Sequence, residues 1–205
     1  MEDNDVLPKN ISVIEQTNQV IELQTIIHDR NTCHSDFVFY ANRLMRLVIE
    51  EGLNRLPYTD VTVRTPDGYS YTGIAFKKGN CGVSVCRSGE AMEQALRQCC
   101  RSIRIGKMLL DDDQRLLYAR LIPDVRERRV LLLYPLISTG NIVMKAISVL
   151  VENGVKEENI LILTLFTTPL SLKEIVHCFP KVAILTSSNS PLIPYHFATK
   201  YFGTD

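Results

Sequence analysis

Two segments of the chain combine small polar residues and glycine in the way that anion-binding turns require. The first is Arg87-Ser-Gly-Glu90, which follows the apolar run 82–86, and the second is Tyr134-Pro-Leu-Ile-Ser-Thr-Gly-Asn141, which follows the apolar run 129–133. A helical pattern begins directly after each segment. Backbone N–H groups converge where a helix starts, and the helix dipole favours negative charge there. Both segments are therefore candidate phosphate-binding turns.

Each turn also has a simpler interpretation. Arg87 can hold a pyrophosphate through two parallel hydrogen bonds, or it can be a surface residue paired with Glu90, which is worth at most ~1 kcal/mol. Ser138, Thr139 and Gly140 can surround a phosphate because glycine lets the backbone come close, or they can form an ordinary capped turn. The presence of two such turns after two strands favours anion binding over coincidence.

The remaining polar clusters say less about chemistry. Phe76-Lys-Lys-Gly-Asn80 is a cationic turn that also fits a solvated basic loop. The chain has no Gly-x-Ser-x-Gly elbow and neither of the common glycine-rich nucleotide motifs, so it does not belong to those hydrolase and nucleotide-binding classes. Its six cysteines lack metal-ligand spacing and are interpreted as reduced thiols, and no metal-binding residues are predicted.

Bulk composition limits the possible partners. The 205 residues suit one domain, and 45% hydrophobic with 22% charged residues is typical of a globular protein. Basic and acidic residues each number 23, so net charge gives no reason to expect nucleic acid or a membrane surface as a partner. No apolar run approaches the ~20 residues of a membrane span, and the start lacks a signal peptide. We expect a cytoplasmic location, with the nucleus as a further compartment.

The pattern of elements must place the two turns at one edge of a sheet. Residues 1–20 are polar and predict a flexible arm, followed by a helix from Ser35 that ends before Pro57. Pro66-Asp-Gly68 predicts a hairpin turn, and residues 103–121 predict an arm or hairpin. Strands at 129–134, 159–166 and 182–186 alternate with helices at 141–152 and 170–178. This alternation predicts an α/β fold with a mainly parallel sheet, whose ligands lie at the carboxyl ends of the strands.

With these motifs placed, the chain resembles the uracil phosphoribosyltransferase family, and in particular its eukaryotic homologs. The most specific stretches are residues 43–57, 87–107, 134–141 and 201–205, and the likeness runs from about Val20 to the end of the chain. It implies a type I phosphoribosyltransferase fold, in which helices flank the sheet and a small hood selects the base. It further implies a single domain over residues 21–205 and assembly into homo-oligomers.

The resemblance also implies a reaction of pyrimidine salvage, in which uracil N1 attacks C1 of 5-phosphoribosyl-1-pyrophosphate to give UMP and pyrophosphate. Mg²⁺ accompanies the pyrophosphate, and some members bind GTP as an activator. The phosphoribosyl pyrophosphate site then comprises Arg87, Tyr134, Pro135, Leu136, Ile137, Ser138, Thr139, Gly140 and Asn141. The base site comprises Ile193, Tyr195, His196 and Phe197, and the GTP site comprises Arg43, Lys77, Lys78, Gly79 and Asn80.

Two departures from the family pattern concern the reaction itself. Tyr134 stands where the family has an aspartate before the proline, and a phenol accepts hydrogen bonds from a ribose diol less well than a carboxylate. Residues 194–203 lack the glycines and aspartates of the family's base loop, although backbone groups that read uracil need close approach. The sequence thus predicts either a uracil phosphoribosyltransferase that tolerates these changes, or a catalytically silent homolog that binds GTP or phosphoribosyl pyrophosphate as a sensor or scaffold.

Overall fold

The computed structural model describes residues 8–111 and 113–204, which form ten strands, six α-helices and two short 3-10 helices. In chain order the elements are β1 (Ile11–Val13), α1 (Asn18–His28), α2 (His34–Leu53), β2 (Tyr58–Arg64), β3 (Ser70–Phe76), β4 (Asn80–Cys86), α3 (Glu90–Cys99), β5 (Arg104–Leu110), β6 (Leu116–Arg120), β7 (Arg129–Leu133), β8 (Leu136–Ile137), α4 (Asn141–Glu152), β9 (Ile160–Thr167), α5 (Pro169–Cys178), β10 (Ala183–Asn189) and α6 (Phe197–Phe202).

The main sheet has the strand order β1-β10-β9-β7-β4-β5-β6, and the short β8 adds to β9 outside this path. All neighbouring pairs are parallel except β5 with β6. Parallel sheets are stable when both faces are covered, and here helices cover both. The predicted α/β fold with a mainly parallel sheet is therefore confirmed.

Alternation along the strands divides the core into two layers. In β7, Leu131 and Leu133 join the cluster that contains residues of α1, α2, α3 and α6. Val130 and Leu132 point the other way and join the cluster that contains residues of α4 and α5. All four side chains are fully buried. This period of two is what a strand buried on both faces requires.

Two sequence expectations need correction. The predicted flexible arm 1–20 does not hold from Ile11 onward, because β1 pairs with β10 (Ile11 with Ile184 and Val13 with Thr186) and α1 begins at Asn18. Residues 1–7 lie outside the described residues. The segment 103–121 is a hairpin, as expected, but β5 also lies parallel to β4 inside the main sheet.

The hairpin of β2 and β3 forms a separate two-stranded sheet. The strands pair in antiparallel register around the predicted turn, and the Lys77 N–H donates to the Pro57 carbonyl at 2.8 Å, so the hairpin begins and ends at neighbouring points. Its strands are exposed on both faces apart from their partly buried centres. Among the residues described, no helix is both long and apolar enough to cross a membrane.

Candidate functional site

The two candidate turns lie side by side at the point where the strand order reverses. From β4 the chain passes to β5 on one side of the sheet, and later through β7 to β9 and β10 on the other. Strands β4 and β7 are parallel neighbours, with Ser84 opposite Leu133. The loop after each strand therefore leaves the same edge of the sheet, where ligands of open α/β sheets bind.

The first loop, residues 87–89, is held tightly against the ends of both strands. Gly89 donates its N–H to the Val85 carbonyl at 2.8 Å, and a Cβ placed on it would lie only 2.5 Å from the Leu133 carbonyl oxygen. Only glycine fits there, because backbone atoms cannot move aside as a side chain can. The peptide bond between Cys86 and Arg87 is cis. The packing of Gly89 against the Leu133 carbonyl fixes the backbone from which the Arg87 side chain extends.

Arg87 is exposed, and among the described residues it has no ion-pair partner. The alternative pairing with Glu90 is not formed. Glu90 instead accepts a hydrogen bond from Lys107 Nζ at 2.7 Å, and this contact raises the pKa of the lysine. The guanidinium of Arg87 is thus free to bind an anion with two hydrogen bonds.

The carboxylates beside this loop are engaged by neighbouring side chains. Lys107 Nζ lies 3.2 Å from Glu93, and Ser84 also donates to Glu93. Within residues 8–111 and 113–204, no group of three or more histidines, cysteines, aspartates or glutamates could hold a metal ion.

The second loop, residues 134–140, is braced from one side by β9 and α5. Leu136 and Ile137 pair with β9 as the short strand β8. Thr168 donates its hydroxyl to the Ser138 carbonyl at 2.8 Å and also caps α5 by accepting from the Ser171 N–H at 3.2 Å. The carbonyl groups of Ile137 and Ser138 are therefore directed towards the start of α5.

The N–H groups of the same loop are left unused. Gly140 is the N-cap of α4 and adopts a φ of 81°, a conformation that favours glycine. In the part of the chain that the structure describes, the N–H groups of residues 138–143 have no hydrogen-bond partner. Beside them is a small cavity lined by Tyr134, Leu136, Ile137, Ser138, Thr139, Gly140, Ile142 and Val143. Unpaired N–H groups at the start of a twelve-residue helix are a candidate phosphate site.

Tyr134 begins the second loop. Its ring is partly buried and packs against the core layer of α4 and α5. Burial raises the pKa of Tyr134 above its ordinary value, and the Ser88 side chain opposes that change. At physiological pH the residue is a neutral phenol at the start of the second candidate loop.

Two of the four predicted base-binding residues are buried in the core. Phe197 is buried in the core, where its ring lies 5.5 Å from that of Phe37, and Ile193 is also buried. Tyr195 is 71% exposed, and its N–H is bonded to the Ile193 carbonyl at 3.0 Å. His196 Nε2 lies 3.2 Å from the Ile27 carbonyl, and the Phe197 N–H donates to the Pro194 carbonyl. The segment uses much of its own backbone bonding capacity.

The predicted GTP-binding residues divide into two places. Lys77, Lys78, Gly79 and Asn80 line a cleft of about 260 Å³ together with Pro57, Glu127, Arg129 and Asn159. This cleft lies at the amino ends of β4, β7 and β9, on the opposite edge of the sheet from the anion loops. Arg43 is not among the residues that line it; it lies on α2 with its guanidinium 5.8 Å from the Tyr40 ring centre.

Sequence similarity shows which family the chain belongs to. The family model described as uracil phosphoribosyltransferase matches residues 13–193. The chain belongs to the uracil phosphoribosyltransferase family. It is 53% identical to the chicken uracil phosphoribosyltransferase homolog and 52% identical to the human one, covering 97% and 95% of this chain. It spans 74% of the chicken relative and 65% of the human one.

Other members of the wider group share either sequence or fold. Uridine kinase-like protein 3 of Arabidopsis thaliana is 44% identical over 96% of this chain, which spans 45% of that protein. Among solved structures, the AQ2163 protein of Aquifex aeolicus superposes with a TM-score of 0.75 at 16% identity, covering 87% of this chain and 86% of its own. Adenine phosphoribosyltransferase of Trypanosoma brucei superposes with a TM-score of 0.60 at 9% identity, covering 90% and 84%. The fold is the type I phosphoribosyltransferase fold.

Sequence reasoning missed the residues that support the phosphate loop. Thr168 and Ser171 hold its carbonyls. Thr168-Pro169 is a recognisable signal for the start of a helix, since threonine caps and proline suits the first turn. The hydrogen bond from Thr168 to the Ser138 carbonyl depends on the order of the strands, so no local sequence pattern predicts it.

Proposed function

We propose that this protein binds phosphoribosyl pyrophosphate through its two loops and transfers the phosphoribosyl group to uracil weakly or not at all. The observation that carries the proposal is the pairing of an unpartnered Arg87 with the open first turn of α4 at one edge of the sheet. A ligand with an anion at each end, such as phosphoribosyl pyrophosphate, matches two such loops. Family membership supports this choice of ligand.

Each loop has a defined part in binding. Arg87 donates to pyrophosphate oxygens, and the N–H groups of residues 138–143 donate to the 5′-phosphate. In the family's reaction, uracil N1 forms a bond to C1 of the ribose, the bond from C1 to the pyrophosphate oxygen breaks, and N1 loses its proton. Pyrophosphate leaves with the electron pair. Arg87 stabilises the charge that develops on that leaving group.

Recognition of the uracil base is the part of the reaction that this protein supports least. A protein that selects uracil needs donors and acceptors placed against both polar edges of the ring, and discrimination by such groups reaches ~10⁴ or more. Here the N–H groups of Tyr195 and Phe197 are bonded inside their own loop, and the Phe197 ring belongs to the core. We therefore expect slow UMP formation beside intact phosphate binding.

The test combines binding and turnover in one set of proteins. Calorimetry with phosphoribosyl pyrophosphate and Mg²⁺ should show binding to the wild type and at least ~10-fold weaker binding to Arg87→Ala, because a hydrogen-bonded charge contributes about 1.5–3 kcal/mol. Arg101→Ala, another exposed arginine, is the matched control and should bind as the wild type does. Equal affinity in all three proteins contradicts the proposal.

The second candidate is an ordinary uracil phosphoribosyltransferase of pyrimidine salvage, acting in the cytoplasm. Both candidate loops follow neighbouring parallel strands of the main sheet, and this favours it. Labelled uracil with phosphoribosyl pyrophosphate and Mg²⁺ should then give UMP well above the Arg87→Ala background. Formation of UMP at that level would support this candidate over a silent homolog.

A regulatory nucleotide and an oligomer complete the proposal. We propose that GTP binds the cleft at the amino ends of the strands, where Lys77, Lys78 and Arg129 line a polar concavity. Bound GTP should raise the melting temperature, and Lys78→Ala should reduce the rise. Arg43→Ala tests whether the second part of the predicted GTP site takes part.

Light scattering measures the proposed homo-oligomer.

A further inference from the structure

A series of polar side chains links β4, α3 and β5 beside the Arg87 loop. Ser84, which is fully buried, donates its hydroxyl to the Glu93 carboxylate at 2.5 Å. Lys107 Nζ lies 3.2 Å from the same carboxylate and 2.7 Å from the carboxylate of Glu90. Ser84 and Lys107 are partners in the parallel pair of β4 and β5, so their side chains leave the same face of the sheet. The strand register therefore places one cation between the two carboxylates of α3.

Glu90 lies where it could otherwise pair with Arg87. Its N–H donates to the Arg87 carbonyl at 3.0 Å, so both residues belong to the turn that leads into α3, and side chains three residues apart in such a turn are neighbours. The Glu90 carboxylate instead contacts Lys107, and the two charges form a hydrogen-bonded ion pair. If Glu90 were paired with Arg87, that pair would have to break before the guanidinium could bind an anion.

We infer that Lys107 is a positioning residue of the pyrophosphate site: it holds Glu90 away from Arg87 and offsets the negative charge of α3 beside the loop. This inference rests on the proposed function and deepens it, since it takes Arg87 as the group that binds pyrophosphate. Lys107 acts through Glu90 and does not itself contact the ligand.

The size of the effect follows from what replaces the ion pair when Lys107 is lost. The released Glu90 competes with pyrophosphate for Arg87, and such an exposed pair should lower the affinity by about 5-fold, the equivalent of about 1 kcal/mol. The uncompensated carboxylate also repels the anion, which acts in the same direction. Both effects disappear when the carboxylate at position 90 is removed.

The experiment measures pyrophosphate binding to the full chain by calorimetry with Mg²⁺. Lys107→Met should bind pyrophosphate about 5-fold more weakly than the wild type, whereas Lys107→Arg, which keeps the cation, should stay within about twofold. Combining Lys107→Met with Glu90→Gln should restore the affinity to within about twofold of the wild type, because the competing carboxylate is absent and the net charge is unchanged. Glu90→Gln alone should bind at least as tightly as the wild type.

Arg128→Met is the matched control for loss of a cation and its ion pair. Arg128 forms two hydrogen bonds with Asp124, at 2.7 and 2.6 Å, just before the amino end of β7 and thus at the opposite edge of the sheet. This variant should keep the wild-type affinity for pyrophosphate, because charges so far apart are screened. Melting curves show that each variant is folded at the temperature of the titration.

The outcomes separate this inference from the proposed function. Weaker binding by Lys107→Met that Glu90→Gln does not reverse overturns the inference, because Lys107 would then contact pyrophosphate itself. Equal affinity of Lys107→Met and the wild type, with Arg87→Ala still weaker, overturns the inference alone. Equal affinity of Arg87→Ala and the wild type overturns the proposed function together with the inference.

Discussion

The candidate phosphate loop, residues 138–143, and the candidate base segment, residues 193–197, differ in how they use their backbone. In the loop, Thr168 binds the Ser138 carbonyl, and among the described residues the N–H groups have no hydrogen-bond partner. In the segment, the N–H groups of Tyr195 and Phe197 are bonded internally, and Phe197 lies in the core. From this difference we expect phosphate binding and base recognition to be separable, because each would depend on its own loop.

The contrast extends to the residues at the start of the helices. Gly140 begins α4 without a side chain that could occupy the helix end, whereas Thr17 and Thr168 cap α1 and α5 with their hydroxyls. A threonine cap stabilises a helix but consumes an N–H group that a ligand could use. The start of α4 has no such side-chain cap, so its N–H groups stay available on the side of the candidate site.

Truncating Phe197 tests the base side of the comparison and should have the largest effect. Phe197→Ala removes a fully buried ring that packs against Phe37, so we expect a loss of about 3–5 kcal/mol in the free energy of unfolding. Tyr195→Ala, two residues away but exposed, should change stability by less than about 0.5 kcal/mol. Urea unfolding measures both, and a small loss for Phe197→Ala would mean that this segment is free to open for a base.

Adding one methyl group to Gly89 tests the phosphate side. Gly89→Ala forces the first loop away from the Leu133 carbonyl, at a cost of about 1–3 kcal/mol in stability and with a large loss of pyrophosphate affinity. Gly73→Ala is the matched control, because a Cβ there meets the exposed, adjustable ring of Tyr71. Calorimetry and thermal melting report the two effects. Unchanged affinity in Gly89→Ala would show that the position of Arg87 does not depend on this packing.

Thr168 should have a moderate effect because it supports the second loop from outside. Thr168→Val keeps the shape but loses both the cap of α5 and the hydrogen bond to the Ser138 carbonyl, so we expect a loss of about 0.5–2 kcal/mol. Thr17→Val removes a cap from α1 and leaves the loop intact. If phosphate affinity falls in Thr168→Val only, the brace positions the phosphate loop; an equal fall in both would exclude this role.

The ionisation of Tyr134 gives the smallest signal. Burial raises its pKa above the ordinary value of 10.0, so the folded state holds the proton more tightly than the unfolded state. Its contribution to stability is present below pH 10 and is lost as the pH rises through the folded-state pKa. Ultraviolet titration of the wild type minus Tyr134→Phe should show phenolate absorbance above that value. A difference curve centred at or below 10 would contradict a buried phenol.

The individual strands, helices and turns could largely be predicted from the sequence, because the signals for them are local. The turn Pro66-Asp-Gly68 and the apolar run of β7 each specify their structure within a few residues. The positions of β1 and β5 could not be predicted in this way, since β1 has only three residues and both depend on neighbours distant in the chain. Pairing with β10 is what orders a polar segment that looks flexible.

The candidate site follows the same division. Arg87 and Gly140 were predictable because they follow apolar runs and precede helices, and strand order then brings them together. The hydrogen bond from Thr168 to the Ser138 carbonyl, and the burial of Phe197, arise from packing between segments far apart in sequence. No pattern within either segment states which neighbour it will meet.

The exposed hairpin of β2 and β3 has a practical consequence. Because Pro57 and Lys77 are joined by a hydrogen bond at its base, the two chain ends left by its removal already lie together. A reporter domain whose own termini are close could be inserted there without stretching the sheet. Placed beside the cleft of Lys78 and Arg129, such a reporter would give an optical test of the nucleotide binding proposed for that cleft.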